Sequence, residues 1–95
     1  MKTITVEELR ALLPSITLVD VREEDEFATG HIEEALSLPL SQLASNYQTL
    51  DTANPLYLIC QKGARSARAA EFLASKNYDV TNVTGGMDAW NESKN

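Results

Sequence analysis

Leu56-Tyr57-Leu58-Ile59 is the most apolar run in the chain, and it shows no alternation of apolar and polar residues. A strand with one wet face alternates, whereas a strand covered on both faces does not. Thr17-Leu18-Val19-Asp20-Val21 has the same character. Strands of this kind belong to parallel sheets, whose members are joined by helical crossovers. The intervening segments supply the helices. Thr5-Val6-Glu7-Glu8 has the form of a capping box, with Thr5 as N-cap, and apolar residues follow at Val6, Leu9, Leu12 and Leu13 until Pro14 stops the helix. Residues 23–29 form a short helix stopped by Gly30, and Leu36-Ser37-Leu38-Pro39 is a second short strand. Ser41 is placed to cap a helix running through Tyr47 to Leu50. Ala67 to Lys76 is predicted as a helix with Ala67, Ala70, Phe72, Leu73 and Ala74 on its apolar face, ended by Asn77 in the left-handed region. Val80-Thr81-Asn82-Val83 makes a last strand, Gly85-Gly86 a tight turn, and Met87 to Glu92 a last short helix. Strands alternating with helices give an α/β fold with a mainly parallel sheet and helices on both faces.

Composition narrows what such a fold does. Ninety-five residues make a single domain spanning 1–95, and 43% hydrophobic with 23% charged residues gives it a core rather than a disordered tail. A net charge of -6 argues against nucleic acid or an anionic membrane surface as partner. Met1-Lys2-Thr3-Ile4-Thr5 has neither the apolar stretch nor the cleavage site of a secretory signal, and no apolar run is long enough to span a membrane. The expected location is cytoplasmic. One cysteine forms no internal disulfide, and with one histidine it makes no zinc site.

That cysteine carries the chemistry. Ligands of open α/β sheets bind beyond the carboxyl ends of the strands, and Cys60 ends the most buried strand. Gln61-Lys62-Gly63-Ala64-Arg65-Ser66 then leads into a helix. Backbone N–H groups of a Gly-containing strand-to-helix loop form an anion-binding nest, and the helix N-terminus adds partial positive charge. Lys62, Arg65 and Arg68 add formal charge, and no Asp or Glu occurs between Asp51 and Glu71. A thiol in this setting has a lowered pKa and is a nucleophile. A buried structural cysteine would have no use for such a loop.

Four segments in order resemble the single-domain rhodaneses, the thiosulfate sulfurtransferase family. Leu18-Val19-Asp20-Val21-Arg22-Glu23 with Glu26-Phe27 is similar to the family's Asp-Val-Arg segment. Gly30-His31-Ile32, followed by Ala35, Leu38 and Pro39, is similar to its amino-terminal signature. Cys60-Gln61-Lys62-Gly63-Ala64-Arg65-Ser66 resembles its active-site loop, and Gly85-Gly86-Met87-Asp88-Ala89-Trp90 its carboxy-terminal signature. Where family members often carry Pro-Gly after the His-Ile pair, this chain has Glu33-Glu34. The resemblance implies a five-stranded parallel sheet and a Cys60 that takes up sulfane sulfur as a persulfide. The donor it implies is thiosulfate or a related small anion. The acceptor is cyanide or a thiol, protein thiols included, and no metal or organic cofactor is needed. Gln61, Lys62, Gly63, Ala64, Arg65 and Ser66 are the expected substrate-binding residues, with Arg65 and Lys62 on the donor's sulfonate and Ser66 capping the helix.

Other residues have defined expectations. Arg22 either faces the site and helps bind the anion or pairs with one of Glu23, Glu24, Asp25 and Glu26. Asp20 orients neighbouring loop backbone, His31 makes a structural hydrogen bond, and Trp90 packs beside Gly85-Gly86. The acidic run 23–26 is read as a solvated first helical turn. Two rival functions stay open. One is a Cys-dependent phosphatase or arsenate reductase, although such enzymes place five residues between Cys and Arg and only four separate Cys60 from Arg65. The other is a non-catalytic rhodanese-like binding module.

Overall fold

The computed structural model describes residues 1–93. In chain order the elements are β1 (Lys2–Ile4), α1 (Val6–Leu12), β2 (Thr17–Asp20), α2 (Glu24–Ala28), β3 (Leu36–Ser37), α3 (Leu40–Asn46), a 3-10 turn (Tyr47–Thr49), β4 (Leu56–Ile59), α4 (Ala64–Ser75), β5 (Val80–Val83) and α5 (Gly86–Ser93). The five strands form one sheet in the order β1-β5-β4-β2-β3, and every pairing is parallel. β4 lies at the centre, between β2 and β5. Both expected features, the α/β class and the five-stranded parallel sheet, are present. Among the described residues no helix is long and apolar enough to cross a membrane.

Strand alternation divides the core in two. Leu56, Leu58 and Cys60 project with Val19 and Val21 to the face covered by Leu43, Ala69, Ala70 and Leu73 of α3 and α4. Ile59 and Leu18 project to the opposite face, against Val6 and Leu9 of α1 and Met87 and Trp90 of α5. The two-residue period along β4 therefore aims the Cys60 side chain at the α4 side of the sheet.

Several local expectations are corrected. β1 carries no apolar signature; it is an edge strand with Lys2 and Thr3 exposed, and its main-chain pairing with β5 defines it. The capping box is present, with Glu8 N–H on Thr5 Oγ1 and Thr5 N–H on Glu8 Oε1, but Leu12 is exposed and only Val6 and Leu9 of α1 are buried. α3 begins at Leu40 with Pro39 in the N-cap position, and Ser41 instead donates its hydroxyl to Glu23 Oε1 at 2.7 Å. α4 begins three residues earlier than expected, at Ala64, so Arg65 and Ser66 lie in its first turn. Its buried stripe is Ser66, Ala69, Ala70 and Leu73, the i, i+3, i+4, i+7 positions, while Ala74 is exposed. Asn77 does end that region with a positive φ of 73°. At Glu33-Glu34 the chain makes an exposed tight turn, closed by Ala35 N–H on Ile32 O at 2.9 Å.

Candidate active site

β4 delivers Cys60 to the carboxyl edge of the sheet, and the chain must then turn at once into α4. Gly63 makes that turn possible: it occupies the N-cap of α4 with φ 115°, in a region that disfavours a side chain. The first-turn N–H groups of α4 consequently face back toward the strand end. Gly63 N–H lies 3.1 Å from Cys60 Sγ, and the backbone of Lys62 and Ser66 also acts on the sulfur's ionisation.

Opposing effects act on this thiol. Burial pushes the Cys60 pKa up, because an anion loses its hydration. Hydrogen bonds from the Ser66 hydroxyl and from the backbone of Ser66, Gly63 and Lys62 more than offset that, so the thiol is held below the ordinary cysteine range. Ser66 lies within the first turn of α4 rather than at its cap, which is Gly63. Its hydroxyl also has Asn82 Oδ1 at 2.5 Å and Gly63 O at 3.1 Å as alternative acceptors. Asn82 is buried in β5 and donates to Gly63 O at 3.3 Å, so it braces the loop from the neighbouring strand. A buried amide within an otherwise β-rich run was the one local sign of this role.

The carbonyls of the loop point away from the sulfur. Cys60 O accepts Met87 N–H at 2.8 Å, and Gln61 O accepts Asp88 N–H at 3.0 Å. The N-terminus of α5 thus holds the loop so that its N–H groups face inward. Gly86, with φ 56°, permits this approach: a Cβ there would sit 2.3 Å from Cys60 O and 2.6 Å from Gln61 O. Gln61 Nε2 donates to Asp88 Oδ1 at 2.6 Å, tying the same two segments by side chains.

Arg22 faces neither of its expected destinations. It is 3% exposed, and its Nε, Nη1 and Nη2 groups donate to Asp20 Oδ1 and Oδ2, Glu26 O, Gln61 Oε1 and Gly30 O. These contacts use the whole fork, so Arg22 is a structural clamp joining β2, α2 and the Cys60 loop. Its counter-charge is Asp20 at 2.8 Å, not a carboxylate of the acidic run. Asp20 also accepts Arg22 N–H, the backbone-orienting role expected of it.

Arg65 is likewise committed. Its Nη1 and Nη2 meet Glu26 Oε1 and Oε2 at 2.6 and 2.8 Å, a bidentate pair. That pair pulls the Glu26 carboxyl down to about 2. Glu26 departs from the expected solvated turn: its partner lies on another helix, and nothing local in the sequence announces it. Lys62 and Ala64 are exposed at the mouth, and Arg68 is exposed further along α4. Cys60, Gln61, Lys62, Ala64 and Arg65 line an open cleft of about 270 Å³ above the sulfur. His31 stacks on Phe27 and shares its Nδ1 with Phe27 O at 2.9 Å, outside this cleft. Trp90 is buried, with the Arg10 guanidinium 3.8 Å from its ring centre.

The Rhodanese-like domain family matches residues 5–93. The chain belongs to the rhodanese-like family. This rhodanese-like chain is 35% identical to the thiosulfate sulfurtransferase GlpE of Shewanella oneidensis, over 83% of its own length and 79% of that protein. It is 44% identical to the uncharacterized protein YqhL of Bacillus subtilis, over 95% of its length and 72% of that protein. Its fold superimposes on the crystal structure of a rhodanese-related protein from Thermoplasma volcanium with a TM-score of 0.94, at 31% identity, covering 98% of this chain and 93% of that one. A rhodanese-type sulfurtransferase is the class of enzyme these relatives support.

Proposed function

We propose that this rhodanese-like protein moves sulfane sulfur through a persulfide on Cys60. The observation that carries this reading is the sole thiol at the central strand's end, with Gly63 N–H 3.1 Å from its sulfur and the first turn of α4 beside it. Such a cradle stabilises a thiolate before reaction and an extended sulfur anion after it. The Cys60 thiolate attacks the sulfane sulfur of thiosulfate, a new S–S bond forms, the S–S bond of the donor breaks, and sulfite leaves with the electron pair. An acceptor then attacks the outer sulfur and regenerates the thiolate, cyanide leaving as thiocyanate and a thiolate as its persulfide.

Gln61, Lys62, Gly63, Ala64 and Ser66 frame the space the second sulfur enters, and Lys62 is the exposed cation nearest an incoming anion. With one cysteine in the chain, the persulfide has no internal thiol to resolve it, so the acceptor is external. A small anionic donor and a cyanide or thiol acceptor, protein thiols included, are the proposed partners, without nucleic acid or membrane, in a cytoplasmic setting. The phosphatase reading is disfavoured by Arg65: the residue needed on a tetrahedral oxyanion is held by Glu26. The cysteine and its cradle weigh against a non-catalytic module.

Intact-mass measurement after incubation with thiosulfate tests the proposal. One added sulfur atom is expected, removable by cyanide and missing from Cys60→Ser. An adduct that survives in Cys60→Ser would place the chemistry elsewhere.

A further inference from the structure

We propose that Glu26 sets the donor preference of this site: by holding both arms of Arg65 it withholds the loop's guanidinium and turns the site from dianionic thiosulfate toward thiol persulfides. The inference rests on the Cys60 persulfide reading and deepens it. A guanidinium in the first turn of α4, beside the reactive sulfur, is the group best suited to a sulfonate. Here its fork is already filled by a carboxylate of matching geometry, at 2.6 and 2.8 Å.

Glu26 is not a loose surface arm that a substrate displaces at little cost. It lies in the first turn of α2, where its Oε1 also accepts Glu23 N–H at 3.0 Å. Glu23 is fixed in turn by the Ser41 hydroxyl at 2.7 Å. The charge balance at the mouth follows. Arg65 and Glu26 cancel, the Glu23 carboxylate lies close enough to act on Arg65, and the Cys60 thiolate is itself negative. Lys62 remains at the cleft, but it is exposed, where water and salt weaken its pull. Thiosulfate must bring two negative charges into that setting. Cysteine persulfide, a monoanion overall with an ammonium group of its own, meets less repulsion and needs no guanidinium: the Cys60 thiolate bonds to its outer sulfur, the donor's S–S bond breaks, and cysteine leaves as the thiolate with the electron pair.

The test compares loading of Cys60 from thiosulfate and from cysteine persulfide, followed by intact mass, in the wild type, Glu26→Gln and Glu26→Gln/Arg65→Ala. The wild type should load from cysteine persulfide at a kcat/KM more than about tenfold above that for thiosulfate. Glu26→Gln should lower the thiosulfate KM about tenfold, the scale of one charge-assisted contact, with the change in KM rather than kcat. The double variant should lose that gain. A wild type that prefers thiosulfate overturns the proposal without any variant. So does a Glu26→Gln protein that loads from cysteine persulfide but shows no gain with thiosulfate, or a gain that persists without Arg65. Failure of both donors to load wild-type Cys60 would instead remove the sulfurtransferase reading, and this proposal with it.

Discussion

At the scale of single residues the site is decided by a contest around Cys60. Burial works against the thiolate, and hydrogen bonds from Ser66, Gly63 and Lys62 outweigh it. The sign for activity follows directly. A depressed thiol pKa means that the rate of sulfur loading rises with pH through a limb lying below the ordinary cysteine range, and is flat above it. The same depression means that the ionised thiol favours the folded state above the unfolded-chain pKa, a contribution lost as pH falls through the folded value. Ser66→Ala removes the side-chain donor, so its limb should move to higher pH. Loading of this variant should fall up to about tenfold on the acid side of the limb, the worth of one hydrogen bond, and recover on the alkaline side. A pH–rate profile measured on both proteins checks this. A uniform loss at every pH would show that Ser66 only supports the fold.

At the scale of elements, α5 acts on the reactive loop through its first amides rather than through any side chain in the cleft. Gly86 is the point of closest approach, and Gly86→Ala would force a Cβ into the carbonyls of Cys60 and Gln61 at a positive φ. The expected result is a destabilisation of about 1–3 kcal/mol or more, with loss of sulfur loading, read by urea unfolding and intact mass together. The Asp20–Arg22 pair ties β2 and α2 to the same loop from the other side, and both members are buried. Asp20→Asn leaves the guanidinium buried without its counter-charge and should cost about 3–5 kcal/mol. A urea midpoint close to that of the wild type would mean that Arg22 escapes to water.

These cross-links mark the limit of what the residues announced in order along the chain. Unbroken apolar runs identified β2 and β4, and the basic, Gly-containing loop after Cys60 identified the thiol, because both are signals between near neighbours. Arg65 and Glu26, Arg22 and Gln61, or Ser66 and Asn82 meet across 16 to 39 positions. No periodicity specifies such a meeting, and so the pairing of Arg65 with Glu26 and the bond from Arg22 to Gln61 are not legible along the chain. The start of α4 is hidden for a related reason: Ala64-Arg65-Ser66 reads as polar loop, whereas Gly63 lets those residues turn as helix.

At the scale of the whole molecule, a central β4 in an all-parallel sheet places the thiol where helices from both layers begin. Every neighbour of β4 must arrive by a crossover, so the site is assembled from segments far apart in the chain. β5, which supplies Asn82, and the start of α5, which turns the loop's carbonyls away from the sulfur, both follow Cys60 in order of synthesis. A ribosome-bound chain that has added residue 60 but not residues 82–88 therefore carries an ordinary, unactivated thiol. At about 5–20 residues per second, a second or more separates the making of the nucleophile from the making of the segments that brace its loop. Nucleophilic reactivity thus arises with folding rather than translation, and the nascent cysteine passes through that interval less prone to oxidation than the finished one.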